Sequence, residues 1–212
     1  MPVSKNLSNH RRNYVKHELT EKNISVDPFE QFGQWFEDAG KAEVLEPNAM
    51  TLATATKAGK PSARIVLLKS FSERGMVFYS NYHSRKGHEL SENNQATLLF
   101  YWDIMERQIR IEGVIERVEV SLSEEYFASR PYESQLSAVV SEQSSVVPSR
   151  QFLEGKLEEV RNAGMVKRPA NWGGYILKPN YFEFWQGRAN RLHDRIVYQH
   201  EGGVWNIKRL AP

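Results

Sequence analysis

The sequence predicts a mainly β protein of the α+β class, with an antiparallel sheet that closes as a barrel and helices that flank it. Two groups of short segments rich in β-branched and aromatic residues support this, between residues 49 and 118 and between residues 172 and 210. Tight turns that contain Gly separate segments of the first group. Helical patterns precede the first group and lie between the two groups. Short successive strands joined by tight turns are typical of antiparallel barrels.

The composition excludes several classes of function. Of the 212 residues, 40% are hydrophobic and 25% are charged, which is typical of a globular protein. The 28 Lys and Arg nearly balance the 26 Asp and Glu, so bulk charge gives no argument for nucleic acid binding. The sequence has no Cys, which excludes disulfides and thiolate sites, and we expect a cytoplasmic protein. We also expect no membrane partner and no metal, because long apolar runs and zinc-type ligand spacings are missing.

The chain is predicted to consist of a short polar N-terminal segment and one larger domain. Residues 1–25 are polar and basic, and their pattern alone predicts a frayed, flexible tail. We expect residues 26–212 to form a single domain. Asp27 and Pro28 predict the N-cap and the first position of a helix. Four aromatic residues follow at helical spacing and predict a face that packs on the core: Phe29, Phe32, Trp35 and Phe36.

Nine segments are predicted as strands. They are 49–56, 62–69, 76–80, 95–102, 107–118, 172–177, 181–186, 195–199 and 204–210. In the fifth segment Ile109 and Ile111 alternate with polar residues, which predicts a half-buried strand. A later helix is predicted from Ser149 to about Asn162, with an inner face made by Phe152, Leu153, Leu157 and Val160.

A basic helix start lies between two of these strands. Ser84 has the residue type of an N-cap and would place Arg85 and Lys86 in the first turn of a helix. Cations at this position oppose the helix dipole. A bound phosphate would explain them, because free N–H groups, the dipole and both cations would converge on it. A solvated basic turn is an equally good interpretation of these residues alone.

A second group of anion-binding side chains is predicted further along the chain. Ser121–Glu124 matches a capping box and predicts a helix start. Tyr126 and Arg130 are four residues apart on that helix and would share a face. Pro131 would end the helix and start a short one that carries Ser134. The two hydroxyls and the guanidinium suit an anion, although a surface Tyr–Arg pair is the simpler interpretation of the spacing.

The stretch from Phe184 to Arg195 combines aromatic residues with a row of cations. Arg191 and His193 are two residues apart, so on an extended segment both point to the same side, and Arg195 continues the row. Trp185 offers a flat apolar face, and Arg donates parallel hydrogen bonds to phosphate or phenolate oxygens. The pattern fits an anionic aromatic ligand. The alternative is a strand with its charged side in water and the Trp in the core.

This stretch closely resembles the C-terminal motif of the pyridoxamine/pyridoxine 5′-phosphate oxidases. The motif consists of Phe184-Trp185-Gln186, four residues, and then Arg191-Leu192-His193-Asp194-Arg195. Seven further pieces resemble the same family in its order, and the resemblance covers Arg11 to Pro212. These pieces are Arg64–Lys69, Ser84–Lys86, Glu106–Gln108, Ser129–Pro131, Gln143–Ser145, Trp172–Gly174 and Arg209–Pro212.

The resemblance implies a fold, a cofactor and a reaction. The fold would be the FMN-binding split β-barrel, Greek-key-like, in a homodimer that holds FMN at the subunit interface. The reaction would be oxidation of pyridoxamine or pyridoxine 5′-phosphate to pyridoxal 5′-phosphate by hydride transfer to the flavin. O₂ would reoxidise the flavin and give H₂O₂. In such an enzyme the cofactor supplies the redox chemistry and the protein supplies orientation and electrostatics.

The resemblance also implies roles for individual residues. FMN would be contacted from one subunit by Arg64, Ile65, Val66, Leu67, Leu68, Lys69, Tyr79, Ser80, Arg85, Lys86 and Gln108. The other subunit would supply Gln143, Ser144, Trp185 and Arg195. The substrate phosphate would be held by Lys69, Tyr126, Arg130 and Ser134. The substrate ring would be addressed by Arg191, Leu192 and His193, of which Arg191 and His193 would be catalytic. A lid over the substrate would be formed by Arg11, Arg12, Asn13 and Tyr14.

Two other functions stay open at this point. A split-barrel flavin reductase with another substrate would bind FMN but would not need the phosphate site at Tyr126, Arg130 and Ser134. A non-catalytic protein that stores or delivers pyridoxal phosphate would need ligand contacts but no electron acceptor. Flavin absorbance of the purified protein would count against the second alternative.

Overall fold

The structure is a computed structural model that describes residue 9, residues 12–164 and residues 166–212. Five α-helices lie in this part of the chain: Pro28–Lys41 (α1), Arg85–Glu92 (α2), Val120–Ser129 (α3), Tyr132–Val140 (α4) and Arg150–Asn162 (α5). Nine strands accompany them: Ala49–Ala55 (β1), Pro61–Leu67 (β2), Ser70–Ser72 (β3), Gly75–Asn81 (β4), Gln95–Trp102 (β5), Arg107–Arg117 (β6), Trp172–Gln186 (β7), Asp194–Glu201 (β8) and Val204–Arg209 (β9). The predicted mainly β fold with flanking helices is confirmed.

The strands belong to one sheet, in which β2, β1, β5, β6, β7, β4 and β3 are neighbours in that order. Strand β8 pairs with β7, and β9 pairs with β8. The register aligns Met50 with Val66 in β1 and β2, and Ser80 with Gly173 in β4 and β7. These pairs are antiparallel, as are those of β1 with β5, β3 with β4 and β8 with β9. The antiparallel pairing is therefore as predicted.

The chain forms two compact units. The first unit contains the chain up to Pro47, Tyr101–Ile109 and Phe182–Pro212, and the second contains Asn48–Phe100 and Arg110–Tyr181. Each unit has its own fully buried side chains. In the first unit these include Phe32, Trp102, Ile109, Phe182, Phe184 and Tyr198. In the second they include Met50, Leu52, Met76, Phe78, Leu98 and Phe100. The boundary of a single domain at residue 26 stays a prediction.

Helix α1 forms in the first unit as the sequence predicts. Asp27 Oδ1 accepts a hydrogen bond from the backbone N–H of Phe29 at 2.7 Å, so the carboxylate caps the helix start. Phe32 and Trp35 are buried on the inner face of the helix. The guanidinium of Arg107 lies 4.3 Å from the centre of the Trp35 ring, a favourable cation–π distance.

The N-terminal segment is tied to the first unit at Leu19 and Glu21. The backbone N–H of Leu19 donates to Asp194 Oδ2 at 3.1 Å, and its carbonyl accepts from Arg209 Nη2 at 2.9 Å. Arg209 Nε also lies 2.7 Å from Glu21 Oε1, and its hydrogen bond lowers the pKa of Glu21 to about 2. Flexibility of residues 1–25 stays a prediction.

The predicted cap of α2 at Ser84 and the predicted helix start at Ser149 are both present in the second unit. Ser84 Oγ accepts from the backbone N–H of Gly87 at 3.3 Å, and α2 begins at the next residue. Ser149 Oγ accepts from the backbone N–H of Phe152 at 3.1 Å and starts α5. The predicted inner position of Phe152 is wrong, because its ring is exposed and the ammonium of Lys156 lies 4.7 Å from the ring centre.

The predicted capping box is wrong. Helix α3 begins at Val120, with Glu119 as its N-cap and no side-chain capping bond. Ser121, the predicted N-cap, is instead the second residue of the helix. Because the helix starts one residue before Ser121, the Ser121 hydroxyl is not placed to cap it.

The predicted shared helical face of Tyr126 and Arg130 is also wrong. Helix α3 ends at Ser129, and Arg130 follows it with extended backbone. The cause is Pro131, because a residue before proline is pushed out of the helical region. Pro131 is the N-cap of α4, which carries Ser134 as predicted.

The two C-terminal strands predicted at 172–177 and 181–186 form one continuous strand, β7. None of the helices in the described part of the chain has both the length and the apolar character needed to cross a membrane. Among the side chains that the structure describes, no three His, Asp or Glu are grouped as metal ligands would be.

Candidate functional site

Three cations and a buried carboxylate meet at the start of helix α2 in the second unit. These residues, called the α2 cluster below, are Arg64, Arg85, Lys86 and Glu89. Glu89 Oε2 accepts from Arg64 Nη2 at 3.2 Å, and Glu89 Oε1 accepts from Arg85 Nε at 2.9 Å. Burial raises the pKa of Glu89, but hydrogen bonds from hydroxyl and guanidinium groups outweigh this effect and lower the pKa to about 2. The carboxylate is therefore ionised and fixes two of the cations.

Lys86 is the buried cation of the α2 cluster. Its Nζ donates to Ser80 Oγ at 3.0 Å, Ser84 Oγ at 3.3 Å and Gln143 Oε1 at 2.6 Å, and all three of these acceptors are neutral. Burial, followed by the charge of Arg64, lowers the pKa of Lys86 to about 8. Burial and the neighbouring guanidinium thus destabilise the charged form of Lys86, and a bound anion would stabilise it.

A cavity of about 530 Å³ opens beside the α2 cluster. Arg85, Gln143 and Ser144 line it together with Lys60, and His83 and His88 stand on its wall. Three cations face one carboxylate in the cluster, and the first turn of α2 has no acidic residue. A phosphate fits this donor set, because charge, hydroxyls and the free N–H groups of a helix start are all present.

Gln143 belongs to the same chain as the Lys86 that it contacts. The resemblance assigns Gln143 and Ser144 to the other subunit, whereas Gln143 Oε1 here accepts from both Lys86 Nζ and, at 3.2 Å, Ser80 Oγ. Ser144 adjoins Gln143 with left-handed backbone, at a φ of 76°. We therefore place both residues beside the α2 cluster of their own chain.

Strand β2 carries the first four residues of the predicted cofactor segment, Arg64–Leu67, and Leu68 and Lys69 follow it. The guanidinium of Arg64 is turned inward and donates to the carbonyl of Leu52 at 3.1 Å. Among the following residues, Leu68 is buried and Val66 is half-buried, whereas Ile65, Leu67 and Lys69 are exposed. Since β2 is an edge strand of the sheet order, its exposed apolar side chains are open to a ligand or a partner.

An aromatic stack with two cations lies elsewhere in the second unit. The rings of Tyr79 and Tyr126 are stacked with their centres 3.9 Å apart, and Trp172 lies 5.6 Å from Tyr79. The guanidinium of Arg130 lies 4.7 Å from the centre of the Trp172 ring, and Lys69 Nζ lies 6.0 Å from that of Tyr126. The structure therefore brings together three of the four residues predicted to hold the substrate phosphate.

Arg130 carries an unused buried donor. Its Nη1 is inaccessible to solvent and has no hydrogen-bond partner among the residues that the structure describes. Burial lowers the pKa of Arg130 from its ordinary value. Ser134, the fourth predicted residue, lies in the first turn of α4, where its backbone N–H donates to the carbonyl of Pro131 at 2.9 Å. A phosphate would satisfy the orphaned guanidinium nitrogen.

The predicted catalytic residues lie in the first unit, but not on an extended strand. Arg191 ends a 3₁₀ turn that begins at Ala189, and both Asn190 and Arg191 have left-handed backbone, with φ values of 56° and 63°. The alternation argument for Arg191 and His193 is therefore wrong, because a left-handed turn has no two-residue period. Both side chains nevertheless line one cavity of about 780 Å³.

The same cavity is lined by residues of the N-terminal segment. Arg12, Asn13 and Tyr14 contribute to its wall, as the predicted lid requires. Arg11, which was assigned to the lid, lies outside the described residues. Leu192, in contrast, is 70% exposed, so its side chain adds little to an enclosed site.

His193 is held in one tautomer. Its Nδ1 accepts from the backbone N–H of Arg188 at 3.1 Å, so the neutral ring carries its proton on Nε2. Burial, then the charge of Arg191, lowers the pKa of His193. Trp185 lies 4.6 Å from the ring centre and Tyr14 lies 5.7 Å from it. In this arrangement His193 is neutral near pH 7 and offers a hydrogen-bond donor to a ligand.

The remaining predicted residues also belong to the first unit. Arg195 Nε donates to the buried Glu183 at 2.7 Å, and its Nη1 donates to the carbonyl of Ala211 at 2.8 Å. Gln108 is half-buried on β6. Arg195 is thus already positioned by a carboxylate, as a ligand-binding guanidinium needs to be.

Sequence reasoning missed two carboxylates that organise these sites. Glu89 stands four residues after Arg85, and this helical spacing is a signal that could have found it. Glu106 is buried beside the N-terminal segment, where its Oε2 accepts from the backbone N–H of Val15 at 2.9 Å. It lies within the family-like piece Glu106–Gln108, but nothing local indicates its distant partner.

Comparison with known proteins identifies the family. Residues 36–164 match the model of the family described as pyridoxamine 5′-phosphate oxidase, and residues 172–212 match that of the pyridoxine 5′-phosphate oxidase C-terminal dimerisation region. The pyridoxine/pyridoxamine 5′-phosphate oxidase of Gloeothece citriformis is 51% identical over 214 residues, which cover 99% of this chain and 100% of that protein.

Two solved structures are similar to this chain in fold. PhzG from Burkholderia lata, in complex with tetrahydrophenazine-1-carboxylic acid, superposes with a TM-score of 0.86 at 33% identity, over 90% of this chain and 95% of that one. A pyridoxamine 5′-phosphate oxidase-related, FMN binding protein from Nostoc punctiforme has a TM-score of 0.73 at 14% identity, over 89% of this chain and 100% of that one. This second likeness confirms the predicted fold class. The chain belongs to the pyridoxamine 5′-phosphate oxidase family.

Proposed function

We propose that this protein is an FMN-dependent oxidase that converts pyridoxamine 5′-phosphate and pyridoxine 5′-phosphate to pyridoxal 5′-phosphate. O₂ is the electron acceptor and H₂O₂ is formed. One observation carries the proposal: two separate groups of cations each contain a buried donor with no anionic hydrogen-bond partner among the described residues, Lys86 in one and Arg130 in the other. Two phosphorylated ligands supply the two missing anions.

The α2 cluster binds the phosphate of FMN. Arg64, Arg85 and Lys86 supply the charge, and Ser80 and Gln143 hold the Lys86 ammonium toward the ligand. When bound, FMN supplies the two-electron acceptor for oxidation of the substrate. The protein contributes a fixed set of donors, which costs no reorganisation when the cofactor binds.

The aromatic stack binds the phosphate of the substrate. Arg130 Nη1 donates to it, and Lys69 adds a second charge near the Tyr126 ring. Trp172 holds the guanidinium from one side, which limits its freedom before the ligand arrives. Ser134 adds a hydroxyl from the start of α4.

Arg191 and His193 position the substrate ring. Arg191 donates to the phenolate oxygen of the pyridine ring and stabilises its charge. His193 donates through Nε2–H, because its Nδ1 is occupied by the backbone N–H of Arg188. It therefore orients the substrate as a donor, and it accepts no proton at Nδ1. Trp185, 4.6 Å from His193, gives a flat apolar wall that excludes water from this side.

The protein is proposed to act as a homodimer with FMN at the interface. The match of residues 172–212 to a dimerisation region supports this. So do Ile65 and Leu67, which are 64% and 37% exposed on an edge strand next to Arg64. Trp185 and Arg195 then reach the FMN of the other subunit, and residues 26–212 act as one FMN-binding domain. A cytoplasmic location stays a prediction.

An aerobic assay tests the proposal. The purified chain, loaded with FMN, is mixed with pyridoxamine 5′-phosphate while aldehyde and peroxide are followed together. We expect the two products in equal amounts, and at least about ten-fold weaker use of pyridoxamine, which lacks the phosphate. If no aldehyde forms and peroxide appears only after NADH is added as electron donor, the protein would instead be a flavin reductase with another substrate. Tight binding of pyridoxal phosphate by a colourless, FMN-free protein would indicate a carrier.

A variant separates catalysis from binding. Arg191→Lys keeps the charge but loses the planar pair of donors, so turnover is expected to fall at least about ten-fold. Wild-type turnover by this variant would contradict the role given to Arg191.

A further inference from the structure

Glu106 is a buried carboxylate for which the proposed chemistry has no use. It is 2% exposed and follows the 3₁₀ turn Asp103–Met105 in the first unit. Its backbone is left-handed, with a φ of 56°, and its carbonyl accepts from the N–H of Gly187 at 2.7 Å. A side chain that is buried, charged and held by strained backbone is fixed in place before any partner binds it.

Within the described part of the chain, this carboxylate has partners in the N-terminal segment. Glu106 Oε2 accepts from the backbone N–H of Val15 at 2.9 Å and from that of Lys16 at 3.1 Å. Glu106 Oε1 lies 3.6 Å from Arg12 Nη2. Lys16 Nζ donates to the carbonyl of Ile104 at 2.5 Å, two residues before Glu106. The carboxylate therefore holds the backbone of Val15 and Lys16 by charge-assisted hydrogen bonds and the Arg12 guanidinium by an ion pair.

Gly187 leaves the space in which Tyr14 lies. A Cβ atom on Gly187 would come within 2.7 Å of Tyr14 Cγ, 2.8 Å of Tyr14 Cβ and 3.0 Å of Glu106 Cβ. Any larger residue at this position would push the N-terminal segment away from Glu106. Gly187 is the residue after Gln186, so the C-terminal motif itself provides the gap.

Tyr14 is the side chain that this arrangement presents to the cavity. Its ring lies edge-on to Trp185, at 5.8 Å, and to His193, at 5.7 Å. Burial, then a hydrogen bond with Tyr14, raises the pKa of the Tyr101 hydroxyl. The Tyr14 ring thus contacts Trp185, His193 and the Tyr101 hydroxyl. It directly precedes Val15 and Lys16, whose amides Glu106 binds.

We propose that Glu106 and Gly187 form a docking site for residues 12–16, which fixes Tyr14 over Trp185 and His193. Glu106 is a positioning residue: it acts on the ligand through the segment that it holds. The effect on substrate rests on the proposed function, whereas the docking itself does not. The carboxylate and the gap are needed together, because one supplies the attraction and the other supplies the room.

Amide hydrogen exchange of the full FMN-loaded chain tests the docking. In the wild type we expect the amides of Val15 and Lys16 to exchange at least about ten-fold more slowly than free amides. Glu106→Gln removes the charge that strengthens both hydrogen bonds, and with its oxygen in the place of Oε2 it turns its NH₂ toward the Arg12 guanidinium, so both amides should lose most of this protection. Gly187→Ala keeps the carboxylate and should give the same loss by displacing Tyr14.

The control is Glu43→Gln. Glu43 belongs to the same unit, has the same left-handed φ of 56° and is exposed, so this change should leave Val15 and Lys16 protected. Protection of amides in β8 shows that each variant is folded. If Glu106→Gln does not fold, the amide exchange of Gly187→Ala tests the docking instead. The proposal is overturned if both amides exchange freely in the wild type, or if the folded variants retain wild-type protection.

Steady-state kinetics then distinguish docking of the segment from a purely structural role of Glu106, because a structural role would not change KM and kcat separately. Loss of the dock should raise KM for pyridoxamine 5′-phosphate about ten-fold while kcat changes less than about two-fold. The variants could instead lose the protection of Val15 and Lys16 while kcat and kcat/KM fall equally. That result would show that the segment docks in the wild type but does not hold substrate. If the variants lose amide protection as expected but the wild type has no oxidase activity, the docking is correct and the proposed function is wrong.

Discussion

Replacing Lys86 by methionine should have opposite effects on the stability of the FMN-free protein and on cofactor binding. Burial and Arg64 lower the pKa of Lys86 from 10.5 to about 8. A depression of this size corresponds to about 3 kcal/mol of unfavourable free energy when the ammonium stays charged in the folded chain. Because water reaches part of the cluster, about 2 kcal/mol is the better expectation.

Lys86→Met should therefore stabilise the FMN-free protein by about 1–2 kcal/mol near pH 7. The hydroxyls that Lys86 contacts keep other partners: Ser84 Oγ donates to the carbonyl of Asn81 at 2.7 Å, and Ser80 Oγ donates to Gln143. The same variant should bind FMN about ten- to a hundred-fold more weakly, because one charge-assisted hydrogen bond to phosphate is lost.

The sign of the pH dependence follows from the lowered pKa. Between pH 8 and pH 10.5 folded Lys86 releases its proton before unfolded Lys86 does, so the unfolded chain binds more protons in that window. The stability of the wild type should therefore rise relative to the variant as the pH rises, and the advantage of Lys86→Met should disappear above the window.

Urea unfolding of the FMN-free proteins at about pH 7 and about pH 10 measures this, with FMN affinity from fluorescence titration. Lys57→Met, at an exposed turn of the same unit, is the matched control and should change neither quantity. The reasoning is refuted if Lys86→Met is less stable than the wild type near pH 7, or if its FMN affinity stays within two-fold.

Three further predictions concern the other sites. Arg191→Gln should raise the pKa of His193, because the charge of Arg191 lowers that pKa in the wild type. NMR titration of the His193 ring measures the change, and an unchanged or lowered pKa would contradict the geometry. Arg130→Lys should raise KM for pyridoxamine 5′-phosphate about ten-fold and leave FMN affinity unchanged; a parallel loss of FMN affinity would mean that the two phosphate sites are not separate. Asp27→Ala should lower the free energy of unfolding by about 1 kcal/mol through loss of the α1 cap, and no change in urea denaturation would show that the cap is dispensable.

Local patterns predicted the elements whose causes are local. The caps of α1 and α2 each depend on one side chain that accepts from an N–H two or three residues later, and Asp27 and Ser84 both do so. The predicted start of α5 at Ser149 agrees with the structure to within one residue. The strands follow from dense β-branched segments, and the half-buried alternation of β6 is present at Ile109 and Ile111. The basic start of α2 was also informative, because cations at the wrong end of a helix require an explanation.

Predictions failed where a pattern of a few residues left out a neighbouring or a distant one. Ser121 was predicted as the N-cap of α3, but the helix starts one residue earlier, at Val120. Arg130 leaves the helix because Pro131 follows, a rule that the four-residue spacing from Tyr126 ignored. Glu106 was missed because its partners lie 90 and 91 residues away in the sequence.

The candidate catalytic loop shows a different kind of failure. Arg191 and His193 do line one cavity, as the sequence predicts, but they reach it from a left-handed turn and not from a strand. The residue types were informative about ligand chemistry, whereas the two-residue spacing was not informative about geometry. Gln143 is similar in this respect, since the resemblance implies that it contacts FMN from the other subunit but does not indicate its contact with Lys86 of the same chain.

A crystal structure of the protein with FMN and pyridoxal 5′-phosphate tests the central claim most directly. We expect two phosphates in two places: that of FMN within hydrogen-bond distance of Lys86 Nζ and Arg64, and that of pyridoxal 5′-phosphate on Arg130 Nη1. Density for both phosphates at one of these sites, or for either phosphate away from both, would contradict the account.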